Sequence, residues 1–72
     1  MKVLITGITG MVGSHLADFI LDNHPDVEVY GLIRWRSPLD NIRGRLDEVN
    51  LVQGELRDLS SMIEVINQVR PD

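Results

Sequence analysis

The 72-residue sequence contains no cysteine, which excludes both a disulfide framework and a thiolate metal site. It also lacks a basic excess, because 7 lysines and arginines stand against 11 acidic residues, and this argues against nucleic-acid binding. No apolar run approaches the roughly 20 residues that span a bilayer. Thr6 and Gly7 interrupt the N-terminal apolar stretch that a signal peptide would need. We therefore expect a soluble cytoplasmic protein with no nucleic-acid and no membrane partner.

Strand and helix patterns alternate along the chain. The first helix should bury Val12, Leu16, Phe19 and Ile20, with Ser14 on the opposite, polar face. The predicted strands are Lys2–Thr6, 27–33 and 49–53, and the predicted helices are Met11–Asn23 and 58–69, with one helical turn in the loop at 38–42.

This order of elements predicts an α/β fold, the N-terminal βαβ(α) part of a Rossmann doubly wound parallel sheet with strand order 3-2-1. The first strand of such a sheet is normally central. Here the sequence stops where a fourth strand should begin, so Val3 and Ile5 would lie on a bare apolar edge. We interpret residues 1–72 as an incomplete NADP-binding domain, without the substrate domain.

Three glycines recur every third residue between the first strand and the first helix. Gly7 allows a tight turn, Gly10 lets the backbone approach a pyrophosphate, and Gly13 lets the helix pack closely. Free amides at a helix N-terminus bind such an anion. The alternative is that the glycines only shape a strand-to-helix turn. The candidate pyrophosphate-binding residues are Gly7, Ile8, Thr9, Gly10, Met11, Val12 and Gly13.

The second strand ends at Arg34, where an NAD-binding domain usually places an acidic residue. A guanidinium can instead bind a 2′-phosphate with two hydrogen bonds. Arg34, Arg36 and Ser37 therefore predict NADP in preference to NAD. The alternative is an ordinary solvated basic loop.

Three stretches, LITGITGMVGSHLADFIL, VYGLIR and VQGELRDLSSMIEVINQVRPD, resemble the GDP-mannose 4,6-dehydratases of the extended short-chain dehydrogenase/reductase superfamily. That family usually has paired arginines followed by serine after the second strand. Arg34 matches the first arginine, whereas Trp35 and Arg36 depart from the rest of the pattern. Glu55 and Leu56 occupy the place of an Asp-Leu pair, whose carboxylate binds the adenine amino group and whose leucine covers the ring.

The resemblance implies an NADP-dependent lyase that acts on a nucleotide sugar, GDP-mannose, and forms a homo-oligomer. Hydride would leave sugar C4, water would be lost across C5 and C6, and hydride would return at C6. The superfamily's catalytic Tyr-x-x-x-Lys motif is not in this stretch, since Tyr30 lies in a strand and Lys2 is the only lysine. We therefore predict no catalytic residue here.

Other functions share such an N-terminus. Two are enzymes, a GDP-4-keto-6-deoxymannose reductase and a UDP-sugar 4-epimerase. A non-catalytic NADP-binding Rossmann protein and a short interaction module belong to different classes.

Overall fold

A three-stranded parallel sheet forms the centre of the fold. Its strands are β1 (Lys2–Thr6), β2 (Glu28–Ile33) and β3 (Asn50–Gln53). β2 lies between the other two, which confirms the predicted order 3-2-1. All pairs are parallel, so the carboxyl ends of the strands meet at one edge of the sheet. The structure, a computed structural model, describes residues 1–34 and 39–72.

Helices cover both faces of this sheet. They are α1 (Met11–Asn23), a short 3₁₀ helix (Asp40–Arg45) and α2 (Leu59–Val69). Side chains alternate between the two faces along each strand, and they divide the core into two clusters. One cluster, on the α1 face, contains Ile5, Ile8, Ala17, Val29, Ile42 and Val49. The other, on the α2 face, contains Leu32, Val65 and Val69.

The buried side of α1 differs from the predicted one. Ser14 and Ala17 are each 2% exposed, whereas Val12, Leu16 and Phe19 are exposed. Of the four residues predicted to be buried, Ile20 does pack against the cluster on the α1 face. α1 approaches the strand-to-helix turn closely at Gly13, where an added Cβ would lie 2.9 Å from the Cα of Ile8, and the buried positions that follow hold small residues. Ser14 remains satisfied there because its hydroxyl donates to the carbonyl of Met11 at 3.0 Å.

Asp58 is the N-cap residue of α2, and its side chain accepts a hydrogen bond from the amide of Ser61. The helix buries Val65 and Val69, while Leu59, Ile63 and Ile66 are exposed. As in α1, the apolar spacing identifies the helix but not the side that packs.

Arg45 connects the 3₁₀ helix to α1 through ion pairs. Its Nε lies 2.9 Å from Asp18, its Nη2 lies 2.7 Å from Asp22, and its Nη1 lies 3.8 Å from Glu48. The hydrogen bond to Asp22 raises the pKa of Arg45, burial opposes the rise, and the nearby carboxylates add to it. Asp18 and Asp22 are therefore ion-paired and do not form a purely solvated face.

The outer edge of β1 contacts the last residue of the chain. The amide of Lys2 donates to the carboxylate of Asp72 at 2.7 Å, and the amide of Asp72 donates to the carbonyl of Lys2 at 2.8 Å. Among residues 1–34 and 39–72, no helix is long and apolar enough to cross a membrane.

Candidate functional site

The turn after β1 depends on a glycine in a left-handed conformation. Gly7 has φ +72°, which other residues rarely adopt. The amide of Gly10 donates to the carbonyl of Gly7 at 3.0 Å and closes the turn. Ile8, between them, is fully buried and contacts the backbone of Gly31 in β2. Any contact of Ile8 with a ligand must therefore come from its main chain.

α1 begins directly after this turn and lies against it. A Cβ added to Gly13 would lie 2.7 Å from the carbonyl carbon of Gly7 and 2.9 Å from the Cα of Ile8. Only a glycine at position 13 allows that approach. The N-cap residue, Gly10, has extended backbone and no side-chain cap hydrogen bond. Gly10 therefore offers no side-chain acceptor to the amides of the first turn of α1, which include those of the exposed residues Met11 and Val12.

A cleft of about 450 Å³ lies beside the turn, at the carboxyl ends of the strands. This is the edge at which open α/β sheets bind their ligands, and the volume falls within the usual range for small-molecule sites. The residues that line the cleft are Gly7, Thr9, Leu32, Ile33, Arg34, Glu55, Leu56 and Arg57.

The structure therefore brings together five of the residues proposed from the sequence: Gly7, Thr9, Arg34, Glu55 and Leu56. Gly10, Met11, Val12 and Gly13 do not line the cleft but continue from Thr9 into α1. Arg36 and Ser37 lie outside the described residues, and their assignment stays a prediction.

The turn between β3 and α2 holds Glu55 in place. Its amide donates to the hydroxyl of Ser61 at 3.0 Å, and its carboxylate accepts from the amide of Arg57 at 3.3 Å. One carboxylate oxygen is thus engaged within the turn, which leaves the other for a ligand. The side chain of Leu56 is 59% exposed and offers the cleft an apolar surface.

Two polar residues of this region, Arg57 and Asn41, were missed by the sequence analysis. Arg57 lines the cleft together with Arg34. Its position directly after the Glu-Leu pair could have identified it as a candidate from the sequence. Asn41 donates a hydrogen bond to the carbonyl of Thr9 at 2.8 Å. No sequence signal could have found that contact, since 32 residues separate the two.

Two further arginines, Arg43 and Arg45, lie in the 3₁₀ helix that follows the described part of the cleft. In the structure Arg45 pairs with three carboxylates, and Arg43 pairs with Asp40 at 2.9 Å. These intramolecular pairs account for both guanidinium groups.

The site has the chemistry that the adenosine and pyrophosphate portion of a dinucleotide requires. Cationic Arg34 and Arg57 suit phosphate groups, and Leu56 suits an aromatic ring face. Among the described residues, a Cβ at Gly10 would have only the carbonyl oxygen of Gly7 within 4 Å, at 3.3 Å. The backbone there is consequently open to the close approach of a diphosphate.

Comparison with known proteins identifies the family of the chain. The GDP-mannose 4,6 dehydratase family profile matches residues 4–72. The chain is 40% identical to GDP-mannose 4,6 dehydratase of Drosophila melanogaster, with 94% of this chain and 19% of the relative covered. It is 39% identical to GDP-mannose 4,6-dehydratase of Yersinia enterocolitica, with 99% and 21% covered.

A solved structure shows the same fold. The Bordetella bronchiseptica enzyme WbmH, in complex with NAD+, superposes with a TM-score of 0.74 at 27% identity, covering 97% of this chain and 23% of that one. The chain thus spans about a fifth of the length of the relatives it matches. Since the family profile covers nearly all of its residues, the chain belongs to the GDP-mannose 4,6-dehydratase family.

Proposed function

We propose that this chain is the NADP-binding part of a nucleotide-sugar 4,6-dehydratase that converts GDP-mannose to GDP-4-keto-6-deoxymannose. The observation that carries the proposal is that the glycine turn and Arg34 line one cleft at the carboxyl ends of the strands. The family membership supplies the reaction class.

The cofactor would lie along the carboxyl edge of the sheet. The amides of Met11 and Val12, at the positive end of the α1 dipole, would bind the pyrophosphate. Arg34 would bind the 2′-phosphate, with Arg36 and Ser37 as further partners. Glu55 would accept from the adenine amino group, and Leu56 would cover the ring.

Bound NADP supplies a hydride acceptor and, after reduction, a hydride donor. The residues of this chain bind and orient it: amides fix the pyrophosphate, and guanidinium groups neutralise phosphate charge. None of them is proposed as an acid or base for the sugar. The catalytic groups of the proposed enzyme would lie outside residues 1–72.

Turnover by the complete polypeptide, as it exists in its source, tests the proposal. Its intact mass comes first, because a mass several times 8.1 kDa would show that these residues are part of a larger enzyme. We then expect GDP-mannose to lose water and UDP-galactose to remain unchanged. Epimerisation of UDP-galactose with GDP-mannose untouched would favour the 4-epimerase, and turnover of GDP-4-keto-6-deoxymannose alone would favour the reductase.

A polypeptide that binds NADP but turns over none of these substrates would be the non-catalytic binding protein. A mass of 8.1 kDa would contradict the proposal of an enzyme and leave only a proposed nucleotide-binding site. The proposed homo-oligomer is tested on the same sample by light scattering, where a monomer mass would contradict it.

A further inference from the structure

Asn41 connects the 3₁₀ helix to the glycine turn. Its Nδ2 donates to the carbonyl oxygen of Thr9 at 2.8 Å, although the two residues are distant in sequence. We infer that Asn41 is a positioning residue: it fixes the peptide between Thr9 and Gly10, and thereby aims the first amides of α1 at the pyrophosphate. This inference rests on the proposed cofactor site.

The peptide between Thr9 and Gly10 is held from both ends. Its oxygen accepts from Asn41, and its N–H, which belongs to Gly10, donates to the carbonyl of Gly7 at 3.0 Å. Because a peptide unit is planar, these two bonds together set its orientation. Without the bond from Asn41, the unit would turn easily, since Gly10 has no Cβ to hinder rotation.

The orientation of this peptide decides where α1 begins. Gly10 is the N-cap residue, and its carbonyl accepts the hydrogen bond from the amide of Ser14 at 2.9 Å. Rotation at Gly10 would therefore move the amides of Met11 and Val12 relative to the cleft. Those are the donors assigned to the pyrophosphate.

Asn41 itself sits on a fixed support. The next residue, Ile42, is 4% exposed in the core, and its amide donates to the carbonyl of Leu39 at 3.1 Å. At the other end of the same helix, Arg45 pairs with Asp18 and Asp22 of α1. The donor is thus held by the core and by the later turns of α1 as well as by its own bond to Thr9.

The test is Asn41→Leu in the complete polypeptide, which removes the donor at similar volume. We expect NADP to bind about 5-fold more weakly, the cost of one neutral hydrogen bond. Adenosine 2′-monophosphate has no pyrophosphate, and its affinity should not change. Asn41→Gln keeps the donor and should recover part of the NADP affinity.

A matched control lies at the far end of α1. The Nδ2 of Asn23 donates to the carbonyl of Phe19 at 2.9 Å, also at an exposed site. Asn23→Leu should leave both affinities unchanged. As a measurement without ligand, hydrogen exchange at the Gly10 amide should quicken in Asn41→Leu and not in Asn23→Leu.

Two results would overturn the inference alone: unchanged NADP affinity with unchanged Gly10 exchange in Asn41→Leu, or an equal loss of affinity for both ligands. If the wild-type polypeptide bound neither NADP nor NAD, the proposed function would fail as well. The wild-type titration therefore separates the two failures.

Discussion

Gly13 lies against the backbone of Gly7, and no side chain fits between the two. A Cβ at position 13 would lie 2.7 Å from the carbonyl carbon of Gly7. Gly7 belongs to the turn after β1 and Gly13 belongs to α1, so the two groups in contact are both main chain. The start of the helix and the end of β1 consequently form one packed unit.

Gly13→Ala should therefore destabilise the protein by about 3 kcal/mol or more, at or beyond the upper end of overpacking costs, because the obstacle is main chain. Gly44→Ala is the control, since a Cβ there has no atom of residues 1–34 or 39–72 within 4 Å. Chemical denaturation of the two variants measures the difference. Equal stability would show that α1 can move away from the turn.

Gly10→Ala should weaken NADP binding while changing the stability of the protein only slightly. Gly10 has φ −81°, which alanine adopts freely, and in the part of the chain that the structure describes its Cβ would meet only the carbonyl oxygen of Gly7, at 3.3 Å. We expect a loss of stability below about 1 kcal/mol, since a small shift relieves that contact. NADP affinity should fall by at least about 10-fold, because the methyl group occupies the approach of the pyrophosphate. Calorimetric titration with unchanged NADP affinity would contradict the assignment of the turn.

Arg34→Ala tests the choice of cofactor. A charge-assisted hydrogen bond contributes about 1.5–3 kcal/mol, so NADP affinity should fall by about 10-fold or more while NAD affinity changes little. Arg43→Ala, on an exposed pair with Asp40, should affect neither. Equal weakening of NADP and NAD binding, or none, would remove the case for a 2′-phosphate contact at Arg34.

Arg45→Met tests whether the ion pairs fasten the 3₁₀ helix to α1. We expect the melting temperature to fall, and the loss to shrink at 1 M salt, where the screening length is about 3 Å. Because the pKa of Arg45 is raised, on the alkaline side this contribution is lost only when the pH rises through that raised pKa, in strongly alkaline solution. Arg43→Met, which removes one fully exposed i,i+3 pair, should have less effect. An equal fall in the melting temperature of both variants would show that the ion pairs of Arg45 stabilise the protein no more than the exposed pair of Arg43 does.

The sequence predicted the elements better than their contacts. β1 and α1 have the predicted bounds, and β2, β3 and α2 each begin one residue later. The 3₁₀ helix begins at Asp40, whereas the predicted helical turn began at position 38, which lies outside the described residues. Local periodicity and capping determine such bounds.

The spacing of apolar residues did not correctly predict which side of α1 packs against the rest of the protein. It selects the stripe of large apolar residues, Val12, Leu16 and Phe19, whereas close approach to the turn selects Ser14 and Ala17. Burial there depends on the distance between backbones, which a count of apolar residues does not contain. The bond from Asn41 to Thr9 is hidden for a related reason, because it depends on the tertiary placement of the 3₁₀ helix.

The paired hydrogen bonds between Lys2 and Asp72 have a kinetic consequence. They connect residues 70 positions apart, so closing this loop costs more chain entropy than pairing β1 with β2. The β1–α1–β2 unit can assemble from more local contacts, and the outer-edge contact must wait for α2 to dock. Within residues 1–72, we therefore expect this contact to form after β1 has paired with β2.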